Sequence, residues 1–322
     1  MLQQNNSRKY AIGVDLGGSF IKFGLVSSDG QLVYENVAPT SADAGAPVLI
    51  AGLINSVKEC LSFAQKHDFK VEGIGIGTPG LIDRTNRKVL GGADNIKGWS
   101  NIDLSNLIEA ECGLSVSIIN DANAMGLGEQ CFGAARDFTD VLFLTIGTGI
   151  GGAVIIDGKL FCGYGNRGTE LGHIPLFTDG IPCSCGSVGC LETYASTSAL
   201  VKQFTERCDA AGIDFQQEIN GQLIVELYHQ NRPVAVATLE DHWRFLGRGI
   251  AGLVNIFSPQ LVVIGGGISE AGSFYMEKID EQVKRFVMPD CMQNTRIRAA
   301  MLGNKAGILG AARWAVVCPN KK

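Results

Sequence analysis

Residues 140–158 read DVLFLTIGTGIGGAVIIDG, and their plan repeats that of residues 10–30, YAIGVDLGGSFIKFGLVSSDG. In each stretch a run of apolar residues, many β-branched, enters a cluster of glycines. A second apolar run leaves the cluster and ends at an Asp-Gly pair, Asp29-Gly30 or Asp157-Gly158. Strand, bend, strand and tight turn is the reading that this pattern supports. Two copies predict an internal duplication, with two similar sheets that each open on a hairpin whose bend holds glycines.

Working outward, QLVYENV at 31–37 predicts a third strand. Apolar positions 49, 50, 53, 54, 57 and 61 predict an amphipathic helix over 46–66. VEGIGIG at 71–77 reads as a buried strand that ends in Thr78-Pro79-Gly80, 103–112 as a helix and Val116–Ile119 as a strand. Asn120-Asp121 then opens a helix from about 122 to 132. Beyond the second hairpin, 161–192 is loop-rich. Helices are expected at 193–210, 239–257, 271–285 and 305–317, with a strand, LVVI, running into Gly265-Gly266-Gly267.

The chain has 322 residues, about two domains at roughly 150 each. With 46% hydrophobic and 18% charged residues it is not a disordered chain. A net charge of −5 and the lack of a basic stretch argue against nucleic acid and acidic membrane surfaces as partners. The longest apolar stretch, Val141 to Ile156, has 16 residues, four of them glycine, and is too short to span a bilayer. MLQQNNSRKY lacks the apolar core of a signal peptide, so a cytoplasmic location with reduced cysteines is expected.

The candidate chemistry falls into three groups. Asp15, Gly17, Gly18, Ser19 and Lys22 lie in the first hairpin, and Gly147, Thr148 and Gly149 in the second. A bend without side chains turns backbone N–H groups toward phosphate oxygens, a hydroxyl adds a donor, and a carboxylate holds Mg²⁺ through water. Each bend alone reads equally as a tight hairpin. Neither fits the Walker loop or the dinucleotide fingerprint. Gly265 and Gly266 open space for an adenine and ribose. His173, Cys183, Cys185 and Cys190 lie within 18 residues, a spacing that suits a tetrahedral Cys₃His zinc site. Four protein ligands leave no open position for water, so such a zinc is structural. It would brace a loop carrying Glu170 and Glu192, which suit sugar hydroxyls, while the second ring nitrogen of His173 reaches the same ligand. Asp121, between a strand and a helix, reads as a helix cap, a general base, or both.

Residues 144–196, LTIGTGIGGAVIIDGKLFCGYGNRGTELGHIPLFTDGIPCSCGSVGCLETYAS, resemble the signature and zinc motif of the ROK family of bacterial sugar kinases and sugar-responsive repressors. DLGGS at 15–19 is similar to that family's ATP motif, with Ser19 where Thr is usual. The resemblance implies an α/β, two-lobed, actin-like or hexokinase-type (ribonuclease H-like) ATPase fold. It implies a small lobe over 1–121 joined by the C-terminal helix 303–322, a large lobe over 122–302, and one cleft shared by the two. It implies ATP and Mg²⁺ as well as the zinc. Carried over by position, Asp121 is the catalytic base, and Gly80, Asn95, Asn120, Glu170, His173 and Glu192 contact the sugar. The polar segment before the first strand leaves no room for a repressor's helix-turn-helix, so a kinase is expected. The overall pattern, including DNIKGW at 94–99 near the family's form of that motif, looks most like a glucose kinase, which implies transfer to the 6-hydroxyl of glucose. Alternatives are a kinase for N-acetylglucosamine, N-acetylmannosamine or another hexose, and a non-catalytic sugar sensor. A homodimer or homotetramer is implied.

Overall fold

The computed structural model describes residues 8–83, 87–93 and 96–317. The first sheet is built from β1 (Lys9–Leu16), β2 (Phe20–Ser27), β3 (Leu32–Pro39), β4 (Lys70–Thr78) and β7 (Val116–Asn120), in the order β3-β2-β1-β4-β7. A ribbon of β5 (Leu81–Asp83) and β6 (Lys88–Gly91) interrupts the chain between β4 and β7. The second sheet holds β8 (Val141–Ile146), β9 (Ile150–Ile156), β10 (Lys159–Phe161), β11 (Leu261–Gly265) and β12 (Arg296–Ala299), in the order β10-β9-β8-β11-β12. Within each sheet the strands therefore run third, second, first, fourth, fifth. In the first, β1–β2 and β2–β3 are antiparallel while β1–β4 and β4–β7 are parallel. In the second, β9–β10 is antiparallel while β8–β11 and β11–β12 are parallel. The duplication read from two glycine bends is thus a duplication of whole sheets. Residues 11–16 of β1 and all of β11 are buried, which is why they read as unbroken apolar runs rather than alternating ones.

The chain divides into two compact units, one of Met1–Asp137, Ala153–Thr169 and Met301–Lys322, the other of Phe138–Gly152 and Glu170–Ala300. In the first, α1 (Ala46–Lys66) and α2 (Leu104–Cys112) join Ile12, Val14, Phe23 and Leu25 in one core through Leu49, Leu53, Val57 and Ile108. Burial of each such side chain contributes roughly 1.5–3 kcal/mol. By length and composition α1 could cross a membrane. Its buried stripe faces this core, and mid-helix Lys58 pairs with Glu111 at 2.8 Å, the pattern of an amphipathic core helix. On α3 (Asp121–Phe132), buried Glu129 accepts from Met301 N, Leu302 N and Ala134 N, and so ties down the segment that leads into α10 (Ala306–Val317). Helix α10 lies against the first sheet at its glycines. A Cβ at Gly13 would stand 2.0 Å from the Ile308 carbonyl oxygen, and one at Gly75 1.7 Å from that of Ala311. Of the glycines of VEGIGIG, Gly75 is the one that this close approach requires.

The second unit contains α4 (Glu192–Ala195), α5 (Thr197–Ala210), α6 (Gly221–His229), α7 (Pro233–Phe257), α8 (Ser273–Phe286) and α9 (Pro289–Met292). The single helix expected over 193–210 is broken at Ser196, whose hydroxyl accepts from Ala199 N at 3.1 Å and caps α5. Helix α7 begins at Pro233 rather than 239, because proline suits the first helical position. Helices α6 and α9 and strands β5, β6 and β12 were not expected from the pattern.

Candidate active site

Strand β7 delivers Asn120 and Asp121 to the start of α3. The cap there is Asn120, whose Oδ1 accepts from Asn123 N at 3.1 Å. Asp121 is the first helical residue, and its Oδ1 accepts from Ala122 N at 2.9 Å. Asn120 supplies the cap, and the Asp121 carboxylate adds one further bond to the first turn through Oδ1. Burial pushes its pKa above the ordinary carboxylate value, against the opposing hydrogen bond from Ala122 N. A carboxylate shifted toward neutrality is better matched to taking a proton. Asn120 Nδ2 donates to the Gly80 carbonyl at 3.3 Å, so two of the sequence-picked positions meet. Trp99 Nε1 donates to Thr78 Oγ1 at 3.0 Å and fixes the strand end next to Gly80. Asn95 lies outside the described residues.

At the first bend, Gly17 N donates to Phe20 O at 2.9 Å, leaving Gly18 and Ser19 exposed at the tip. Buried Thr40 closes the bend from behind, with its N on Ser19 O at 3.0 Å and its Oγ1 on Gly17 O at 2.7 Å. Asp15, opposite Lys22 in the hairpin register, is 3% exposed, and its Oδ1 has no hydrogen-bond partner. Burial, then the charge of Asp121, pushes the Asp15 pKa to about 7, against the pull of Lys22. Lys22 Nζ itself donates to Asn304 Oδ1 at 2.7 Å. A buried carboxylate oxygen without a donor fits a hard cation or its water shell, so the residues present suit Mg²⁺.

The second bend closes with Gly147 N on Gly149 O at 2.9 Å. It borders a cavity of about 1190 Å³, lined by Gly147, Thr148, Lys202, Asn220, Gly267 and Glu270 among others. That is room for a nucleotide. Gly265 ends β11, and Gly266 leads into the turn Gly267–Ala271 that forms one wall. Helices α5 and α6 form the opposite wall, which went unread because α6 did. The signal was present: Asn220 followed by apolar 223, 224 and 227 is a capped amphipathic turn, and Asn220 Oδ1 accepts from Leu223 N at 2.9 Å.

One ligand atom from each of His173, Cys183, Cys185 and Cys190 lies within 4.8 Å of all the others. The Cys185 and Cys190 sulfurs are 3.7 Å apart, and Cys183 Sγ is 3.5 Å from His173 Nδ1. The edges of a zinc tetrahedron with Zn–S about 2.3 Å and Zn–N about 2.1 Å are roughly 3.8 and 3.6 Å. The donor set therefore fits zinc, with Nδ1 of His173 in the cluster and Nε2 directed elsewhere on the ring. Glu170 is exposed at the head of the turn Leu171–His173. Glu192 opens α4 two residues after Cys190, and its Oε2 accepts from Ile150 N at 2.8 Å. The loop thus brings Glu192 to the second bend, a contact that the sequence pattern did not reveal.

Residues 11–317 match the family model described as ROK family. A glucokinase of Streptomyces coelicolor is 34% identical over 312 residues, 94% of this chain and 96% of that protein. A xylose repressor of Caldicellulosiruptor bescii is 33% identical over 318 residues, 96% of this chain and 79% of the repressor. Among solved structures, the crystal structure of a ROK family glucokinase from Streptomyces griseus in complex with glucose and AMPPNP superposes with a TM-score of 0.82 at 34% identity, covering 96% of this chain and 99% of that one. The fold is accordingly of the actin-like, hexokinase-type ATPase class.

Proposed function

This chain belongs to the ROK family, and on that premise we propose that it is an ATP-dependent kinase that phosphorylates the 6-hydroxyl of glucose or a closely related hexose. The observation that carries the reading is Asp121: a carboxylate at the head of α3, next to the capping Asn120 and raised in pKa by burial. It is supported by the S. griseus relative, a glucokinase solved with glucose and AMPPNP.

In this reading Glu170, Glu192 and Nε2 of His173 hold the hexose ring, with Asn120, Gly80 and Asn95 as further contacts. The bends at Gly17–Ser19 and Gly147–Gly149 offer backbone N–H groups to the phosphates, and Lys22 adds positive charge. The adenine and ribose occupy the cavity bordered by Gly267, next to Gly265 and Gly266. Asp15 would hold Mg²⁺, which would supply charge neutralisation at the phosphates, and His173, Cys183, Cys185 and Cys190 would hold a zinc that would keep the hexose loop in shape. The hexose O6 attacks the γ-phosphorus; an O6–P bond forms, the bond to the β,γ-bridging oxygen breaks, ADP leaves, and the hydroxyl proton passes to the Asp121 carboxylate. Most of the rate arises from positioning and electrostatic stabilisation. We place the enzyme in the cytoplasm, and its assembly as a homodimer or homotetramer belongs to the same proposal.

The xylose repressor among the relatives keeps a second reading in view, a sugar sensor without transfer. A coupled ADP-release assay over glucose, N-acetylglucosamine, N-acetylmannosamine, fructose, allose and xylose separates the two. The proposal expects the highest kcat/KM with glucose. Hexose binding without ADP release on any sugar would establish the sensor instead.

A further inference from the structure

The second bend is held by the loop that carries the proposed hexose ligands. Glu192 Oε2 accepts from Ile150 N at 2.8 Å, and Thr197 N donates to Gly147 O at 2.8 Å. Gly172, inside the turn between Glu170 and His173, sits so close that a Cβ there would lie 2.0 Å from Ile150 O. A Cβ at Gly149 would lie 2.2 Å from Glu192 Oε2. The donor bend and the loop therefore form one packed body, and Glu192 is the side chain shared by both. Only its Oε2 bonds the bend, while a carboxylate can accept about four hydrogen bonds over its two oxygens.

We infer that Glu192 is a positioning residue that couples the two substrates. A hexose hydroxyl on Oε1 fixes the carboxylate, Oε2 in turn fixes the Gly149–Ile150 amide, and a fixed bend binds the phosphates of the nucleotide more tightly. The inference rests on the kinase reading and extends it from where the substrates bind to how each affects the other. Coupling of this kind is reciprocal, so the nucleotide tightens hexose binding by the same factor.

The test is calorimetric titration of the zinc-loaded protein with AMPPNP and Mg²⁺, with and without saturating glucose. Wild-type protein should bind AMPPNP roughly five-fold or more tightly when glucose is present. In Glu192→Ala that ratio should fall to near one, while glucose still binds at higher concentration. Glu192→Gln keeps an acceptor for Ile150 N and should retain part of the coupling. Gly149→Ala pushes the carboxylate away from the opposite side and should remove the coupling without altering Glu192. The double variant should lose no more than either single one, as expected of one shared contact. Absence of coupling in the wild type, or full coupling in Glu192→Ala or in Gly149→Ala, overturns the inference. Failure of glucose and every other hexose to bind would instead sink the kinase reading.

Discussion

The two glycine bends share strand order and hairpin geometry but differ in what holds them. At the first, Thr40 makes two uncharged hydrogen bonds, to Gly17 O and Ser19 O, and the charge comes from Asp15 within the hairpin itself. The second has no carboxylate of its own. It borrows Glu192, two residues past the last cysteine of the Cys/His cluster, and is further tied by Thr197 N. Duplication thus supplied a frame twice, and the chemistry lies where the copies diverged. In the proposed reading, the first bend serves a cation and the second serves contact with the loop that would hold the sugar.

The comparison can be broken most severely at Asp121. Asp121→Ala should lower kcat by about 10²–10⁴-fold, the usual contribution of a general base, with glucose affinity held within about tenfold. Steady-state kinetics and calorimetry check both. A smaller loss would remove the assigned base.

The charge buried at the first bend should be visible in stability. The folded-state pKa of Asp15, about 7, lies above its ordinary 3.8, so the folded protein keeps a proton that the unfolded chain releases. Stability is therefore greatest below about pH 4 as far as this group decides it, and declines as pH rises to about 7, by at most roughly 4 kcal/mol. Urea unfolding of the nucleotide- and Mg²⁺-free protein at pH 5 and 7.5 measures the slope. Asp15→Asn should flatten it, and an unchanged slope would contradict the assignment.

Removal of the metal should strike the second bend and spare the first. Chelation, or Cys185→Ser, should raise the KM for hexose by about tenfold or more as the loop loosens, because ligand loss couples directly to local folding. An unaltered KM in metal-free protein would remove the brace. The smallest effect belongs to the other clamp. Thr40→Val keeps the backbone bond to Ser19 O and loses the one to Gly17 O, which costs about 1 kcal/mol of stability. It should raise the KM for ATP a few-fold and leave the hexose-to-nucleotide coupling intact, the opposite of Glu192→Ala.

Much of the fold was legible because it is written in period and punctuation. The hairpins announce themselves through apolar runs, glycines and Asp-Gly turns, and the grouping of His173 with Cys183, Cys185 and Cys190 through ligand spacing. What escaped is what depends on contacts distant in sequence. Gly13 and Gly75 look like strand glycines until α10 is seen resting on them. Buried Glu129, which gathers three backbone N–H groups, carries no local mark of that role. Asp121 looked like a cap, and only the hydrogen bond from Asn123 N to Asn120 showed its neighbour filling that position. Glu192 was singled out for the sugar by its place after Cys190, yet its bond to Ile150 N joins positions 42 residues apart. Short α6 was missed because nine residues give the helical period little length over which to show itself.

The most direct test of the account is a crystal structure of the zinc-loaded chain with glucose and AMPPNP. The hexose should lie on Glu170, His173 Nε2 and Glu192, with O6 within about 2.6–3.2 Å of an Asp121 carboxylate oxygen and directed at the γ-phosphate. Glucose bound away from these four side chains, or bound there with O6 out of reach of Asp121, would contradict it.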